Sequence, residues 1–398
     1  MAQSSTGDMP VIVDAVRTPM GRGKVGGALA GVHAVDLLAE VLRALVARNR
    51  VDPATVDDVI AGCVSQVGEQ SATPGRWALL AAGFPAHVPS TTIDRRCGSS
   101  QQAIHFAAQG VMAGVYDIVI AAGIEAMSRL PMGSGRRGRD PSETAVNERY
   151  APGLVSQGIA AELVASRWGI SRRESDSYAA RSHRLAAAAA SAGAFRSEIV
   201  PVSAGGSIVE SDETIRPATT EEGLAQLKPS FEAAEMSSRF PEIGWQITAG
   251  NSSQITDGAA GVLIMRHATA ERLGLRPRAR FVGFSVCGDD PLLMLTAPIP
   301  ATRRVLDRCS LSLDEIDHYE VNEAFAPVPL AWQKAFGADR ERLNPCGGAI
   351  ALGHPLGASG ARLMTTMLNA LERTGGRYGL QTMCEAGGMA NATVIERL

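Results

Sequence analysis

Residues 353–388 read GHPLGASGARLMTTMLNALERTGGRYGLQTMCEAGG. The run from Gly357 to Leu371 is rich in small and apolar residues at helical spacing, and YGLQTMC (378–384) that follows reads as a buried strand. His354 therefore stands just before a helix and Cys384 just after a strand, both among glycines. A second stretch, CGSSQQAIHFAAQGVMAGVYDIVIAAG (97–123), has the same layout: Cys97, a small-residue helix from Ser99 to Val111, then the strand DIVIAAG (117–123). The match predicts a duplicated α/β unit.

The repeat extends upstream of both stretches. VIVDAVRT (11–18) reads as a strand, AVDLLAEVLRALVARN (34–49) as a helix, and VDPATVDDVIAGCV leads into a strand near 58–64. In the second half RARFVGFSVCG (278–288) reads as a strand and PATRRVLDRCS (300–310) as a helix, with LSLDEIDHYEVNEAF (311–325) closing the rhythm. Strands separated by crossover helices predict mostly parallel sheets with helices on both faces. The Ala, Ser and Gly content of the helices after Cys97 and His354 predicts close backbone approach, with both helices sandwiched between two sheets. Residues 129–247 interrupt the pattern and read as a covering insertion.

Composition narrows the classes. The chain has 398 residues, 45% hydrophobic and 20% charged, with a formal net charge of -3. More than one packed unit is expected at that length, and that charge offers nucleic acid or an anionic membrane no general attraction. MAQSSTGDMP lacks a basic region followed by an apolar run, and no apolar segment is long enough to span a bilayer, so a cytoplasmic protein is expected. The six cysteines form no CxxC pair and no metal-ligand spacing, which predicts reduced thiols and no metal.

Cys97 precedes a helix start, where free N–H donors and the helix dipole favour thiolate. His354, in a rigid glycine turn, is a candidate activator with a pKa near neutrality. Cys384 ends a strand before a turn that can expose N–H groups, and Asn322, in VNEAFA (321–326), ends the matching strand near it. Cys63, Cys287, Cys309 and Cys346 read as packing residues, and Arg136, Arg137 and Arg139 first as a solvated face. Gly21, Gly23 and Gly26 spell GxGxxG, but no helix begins until near Ala34, so a dinucleotide site is not expected.

Together these stretches resemble the thiolase family, with EAMS (125–128), DETIRPATTEEGLAQLKPSF (212–231) and TAGNSSQITDGAA (248–260) extending the likeness over essentially the whole chain. The resemblance implies a five-layered α-β-α-β-α fold: an N-terminal core (1–128 plus 248–274), a loop domain (129–247) that covers coenzyme A, and a C-terminal core (275–398). It implies an acetyl-CoA C-acyltransferase that cleaves 3-ketoacyl-CoA or runs the reverse condensation, with coenzyme A as co-substrate and no permanently bound cofactor. Cys97 would carry the acyl group, His354 would activate it and Cys384 would move the proton at the neighbouring carbon. Asn322 with His354 would form one oxyanion hole, and the main-chain N–H groups of Cys97 and Ala386 the other. Ser253, with Ala249 and Gly250 beside it, and Arg136 and Arg137 would contact coenzyme A, and a homodimer or homotetramer is implied.

Two positions depart from the family pattern. Ala386 stands where a glycine commonly does, and Cys346 where an asparagine commonly precedes the glycine pair. TTIDRRCGSSQQA resembles degradative or broad-range thiolases, and the covering loop lacks a Cys-Ala-His-Leu-like stretch associated with short-chain enzymes. Substrates longer or bulkier than acetoacetyl-CoA are therefore expected, against the alternatives of a short-chain biosynthetic enzyme or a non-catalytic acyl-CoA or lipid-binding protein.

Overall fold

A computed structural model describes residues 6–398, so the first five residues of the stretch read for a leader lie outside the described residues. Strand β1 (Pro10–Arg17) is followed by α1 (Ala34–Asn49), β2 (Asp58–Gly62), α2 (Pro74–Ala81), β3 (Ser90–Ile93), α3 (Ser99–Met112) and β4 (Ile118–Ala126). The insertion contributes α4 (Gln157–Arg167) and α5 (Arg172–Ser191) before β5 (Thr256–Arg266) returns the chain to the core. The second half runs β6 (Ala279–Gly288), α6 (Pro298–Cys309), β7 (His318–Val321), α7 (Pro327–Phe336), α8 (Ser359–Thr374), β8 (Tyr378–Glu385) and β9 (Met389–Arg397).

The strands pair in the order β3-β2-β4-β5-β1-β6-β9-β8-β7. Among the described residues, strand pairing between the two halves occurs where β1 meets β6, at Val11 with Arg280 and Ile12 with Ala279. Helix α3 packs on strands of the first half, while α8 packs on α3 and on strands of both halves; α1 and α2 cover the outer face of one half and α6 that of the other. Five layers result, α-β-α-β-α, with the central strands β1, β4 and β5 buried on both faces. On β1, Val11 and Val13 face the outer core with Leu37, Leu38 and Leu42 of α1, whereas Ile12 and Ala15 face the central one with Ile104, Met364 and Leu368.

Mostly parallel sheets are not what forms. Among the described strands, β2-β3, β2-β4 and β7-β8 are parallel and the central pairings are antiparallel. The connections explain it: β8 turns directly into β9 through Ala386-Gly387-Gly388, and β5 arrives from the insertion rather than from a crossover helix.

The duplication is regular at the residue level. Asp57 and Asp317, 260 residues apart, each close the same turn: Asp57 accepts from the N–H groups of Asp117 (2.6 Å) and Ile118 (2.9 Å), and Asp317 from those of Arg377 (2.7 Å) and Tyr378 (3.0 Å). Helices α3 and α8 begin at Ser99 and Ser359, the same interval apart. Their contact is tight, because a Cβ at Gly360 would overlap the Gln101 main chain, and one at Gly123 the Gly357 carbonyl. Every residue from Ser359 to Leu371 is buried, as expected of a helix between two sheets.

Candidate active site

Cys97 lies two residues before α3 and His354 five before α8, with Cys384 and Asn322 at the ends of β8 and β7, so the sandwich gathers all four at one end. All four are buried. Cys97 packs with Leu356 and Met383, the neighbours of His354 and Cys384, and the two thiols lie close enough that charge on Cys97 raises the pKa of Cys384.

The imidazole of His354 is held at both nitrogens. Ser359 Oγ donates to the Pro355 carbonyl (2.8 Å), so its contact with His354 Nδ1 (2.6 Å) is one in which Nδ1–H donates. That assigns the tautomer and leaves Nε2 as a lone pair facing Asn322 Nδ2 at 3.4 Å. Burial, with Arg362 adding to it, lowers the His354 pKa to about 3. The resting ring is therefore neutral, a base at Nε2, and the near-neutral pKa expected from the glycine turn is corrected: desolvation of the imidazolium outweighs the setting of the loop.

The thiols depart from expectation in the same way. Burial pushes Cys97 up to about 12, with the nearby Glu385 adding to it and its own N–H and Arg96 opposing. Cys384 lies well above the ordinary thiol range through burial, then Cys97 and Glu385. The helix start does not outweigh desolvation, so both groups rest as thiols, and Cys97 becomes a nucleophile only by losing its proton to a partner.

Asn322 anchors to β8 through its N–H and the Thr382 carbonyl (3.1 Å), while its buried Oδ1 has no protein partner. That oxygen suits an ordered water. Among the described residues, neither the Cys97 N–H nor the Ala386 N–H donates to another residue. The left-handed conformations of the β8-β9 turn fall on Gly387 (φ 96°) and Gly388 (φ 79°), so the alanine at 386 costs the turn nothing.

Ser253 is stitched to the site by its N–H and the Ala324 carbonyl (2.9 Å). Gly250 lies under Leu224 and Leu227 of the insertion, where a Cβ would overlap Leu224, and Ala249 is exposed beside it. Arg136 and Arg137 sit on an exposed turn with no hydrogen bond or ion pair to the cluster. Cys346 is buried with Ala186, Phe195 and Leu352 and accepts from Arg373 Nη2 (3.1 Å), a packing role as expected. Gly21-Arg22 pairs with β5, and Glu213 holds that loop through the Arg22 and Ala28 N–H groups, which leaves no phosphate cradle.

Three residues escaped the reading of the sequence. Ser359 is the tautomer-setting partner of His354 and lay within the quoted GHPLGASGAR, where a hydroxyl one turn beyond the histidine was the available signal. Glu323 accepts from Tyr178 (2.9 Å), Ser182 (2.7 Å), Asn344 (3.0 Å) and the Ile350 N–H (3.0 Å), binding α5 to the strand end that carries Asn322. Arg17, fully buried, pairs with Glu198 (2.7 Å) and Asp212 (2.6 Å) and fixes the insertion to β1.

An apolar pocket of ≈ 310 Å³ opens in the insertion between Leu154, Val155, Ile159, Phe231 and Met236. Val155 and Phe231 also pack against the cluster that holds Cys384, Phe325, Met294 and Leu295. No helix among the described residues is long and apolar enough to cross a membrane.

The family models for the thiolase N-terminal and C-terminal domains match residues 10–268 and 275–397. The steroid 3-ketoacyl-CoA thiolase FadA6 of Mycobacterium tuberculosis is 49% identical over 97% of this chain and 94% of its own length. A 3-ketoacyl-CoA thiolase of Cronobacter sakazakii is 44% identical over 98% and 99%. Among solved structures, the acetyl-CoA acetyltransferase of Bacillus anthracis superposes with a TM-score of 0.87 at 38% identity, covering 98% of this chain and 99% of its own.

Proposed function

The chain belongs to the thiolase family, and from that premise we propose a thiolytic cycle run by Cys97, His354, Cys384 and Asn322. One observation carries the assignment of roles: the neutral His354 ring, fixed by Ser359 at Nδ1, turns its Nε2 lone pair to Asn322 in the same buried end of the fold where Cys97 packs with Leu356 and acts on Cys384. Nε2 takes the Cys97 proton, and the thiolate attacks the C3 carbonyl of a 3-ketoacyl-CoA. The C3 oxyanion faces the Cys97 and Ala386 N–H groups, and Nε2–H with the water on Asn322 holds the enolate oxygen that forms as the C2–C3 bond gives way. The C2–C3 bond breaks, Cys384 protonates the departing acetyl-CoA enolate at C2, and the acyl group stays on Cys97 as a thioester. Coenzyme A gives its thiol proton to the Cys384 thiolate and attacks that thioester, whose oxyanion faces the Cys97 and Ala386 N–H groups. The shortened acyl-CoA leaves, the proton returns to Cys97, and condensation is the same sequence reversed.

Residues 129–247 are assigned to covering coenzyme A, with Ser253, Ala249 and Gly250 beside the pantetheine arm and Arg136 and Arg137 as candidate phosphate partners. The apolar pocket by Phe231 and the likeness to a steroid-named relative favour bulky acyl groups over short ones. Residence in the cytoplasm and homo-oligomeric assembly complete the proposal; exposed Trp77, Phe106, Met112 and Val115 supply apolar surface for a subunit contact.

A thiolysis panel from acetoacetyl-CoA to ring-bearing 3-ketoacyl-CoAs tests the function. Wild type should cleave it with preference for the larger members, and Cys97→Ala and Cys97→Ser should not. Wild-type-like turnover in both variants sinks the mechanism, and tight coenzyme A binding without cleavage across the panel favours the non-catalytic reading.

A further inference from the structure

Glu385 follows Cys384, is fully buried, and neither of its carboxyl oxygens has a hydrogen-bond partner. It fills the space beside the Gly98 Cα, where a Cβ would overlap Oε1, so it lies against the start of α3 next to Cys97. Its duplicate, Glu125, 260 residues earlier, is placed quite differently. That carboxylate accepts from the N–H groups of Val64 (3.0 Å), Ser65 (2.9 Å) and Gly357 (2.9 Å) and from Gln70 Nε2 (3.0 Å). Gly357 is the duplicate of Cys97. The first-half glutamate thus consumes the N–H of Gly357 in the second half, whereas the matching N–H, that of Cys97 in the first half, finds no acceptor on another residue even though the second-half glutamate lies beside it.

We propose that Glu385 is a positioning residue that works as a neutral carboxylic acid, and that its ionisation suppresses Cys97 both by repelling the thiolate and by competing for the Cys97 N–H. The groups around it agree. Burial raises Glu385 to about 8, with Arg95 and the Asn391 main chain opposing. Cys97 and Cys384 on either side, and Cys287 on β6, are each raised in part by its charge. Of the other charges near Cys97, Arg96 favours the thiolate and Glu125 disfavours it. Among the described residues, Arg95, whose Nε is buried without a partner, supplies the positive charge that acts on Glu385.

The inference rests on Cys97 being the acyl-accepting thiol. Its test compares wild type, Glu385→Gln and Glu385→Leu from pH 6.5 to 9.5. The readouts are the rate of iodoacetamide alkylation at Cys97, located by peptide mass, and kcat/KM for thiolysis. Above pH 8 the wild-type rates should flatten or fall while those of both variants keep rising, so that at pH 9 the variants are alkylated about 10-fold faster, one pKa unit in the thiol. Folded variants whose profiles superimpose on wild type after scaling, or that lose activity equally at every pH, overturn the proposal. Cys97→Ala run alongside separates the failures: retained thiolysis there removes the premise, whereas its loss with unchanged Glu385 profiles removes this inference alone.

Discussion

At the residue scale, the chemistry depends on a histidine kept neutral and two thiols kept protonated by the same cause, burial. Proton transfer from Cys97 to His354 then creates an ion pair inside the site, which costs free energy unless donors await the charge that develops on the substrate. Ser359 is what keeps the accepting nitrogen correct. Ser359→Ala removes the acceptor at Nδ1 and lets the proton move to Nε2; kcat/KM for acetoacetyl-CoA thiolysis should fall about 10- to 100-fold with KM little changed. An unchanged kcat would show that the tautomer is set elsewhere. Asn322→Ala, which removes one oxyanion-hole arm, should cost about 100-fold in kcat. The gathering of Cys97, His354 and Cys384 at one end of the fold was legible from residue type and glycine-rich setting, and that of Asn322 from its place at the end of the matching strand. Their ionisation was not, because the dipole of a helix start can be read from sequence while the depth of burial that outweighs it cannot.

At the element scale, the site exists because α3 and α8 touch almost backbone to backbone and bring two duplicate helix starts together. The small-residue content of both helices made that contact legible. Strand direction was not, since the hairpin at 386–388 and the long insertion both replace the crossovers that impose parallel pairing. Gly360 tests the contact, because any Cβ there meets the Gln101 main chain, which cannot give way as a flexible side chain would. Gly360→Ala should lower stability by about 1–3 kcal/mol through forced separation of the helices, and should depress thiolysis as Cys97 moves relative to His354. Gly274→Ala is the control for the substitution itself, since its glycine meets nothing within 4 Å but has φ of +68°, so its effect is confined to local backbone strain. Equal thermal shifts with activity intact in both variants would refute the close-contact account.

At the scale of the whole molecule, polar groups buried between the duplicated halves determine how the fold answers to acid. His105 on α3 reaches across to β9, with Nε2 2.7 Å from Thr393 Oγ1 and Nδ1 3.3 Å from Asn391 Nδ2, against the ring of Phe284. Burial first, and Arg95 second, lower its pKa to about 3, so the folded protein keeps the ring neutral where the unfolded chain, near 6.5, takes up a proton. The unfolded state then binds more protons below about pH 6.5, and stability falls as pH drops through that value and continues to fall until about 3. At pH 5 this one residue should cost about 2 kcal/mol relative to neutral pH. His105→Gln keeps polar contacts to Thr393 and Asn391 within reach but cannot titrate. The variant should therefore be less stable than wild type at pH 7, with the deficit shrinking by about 2 kcal/mol in urea unfolding at pH 5. A deficit equal at both pH values would mean that the buried imidazole takes up its proton in the folded state as readily as in the unfolded one, and that the interface between the halves admits charge.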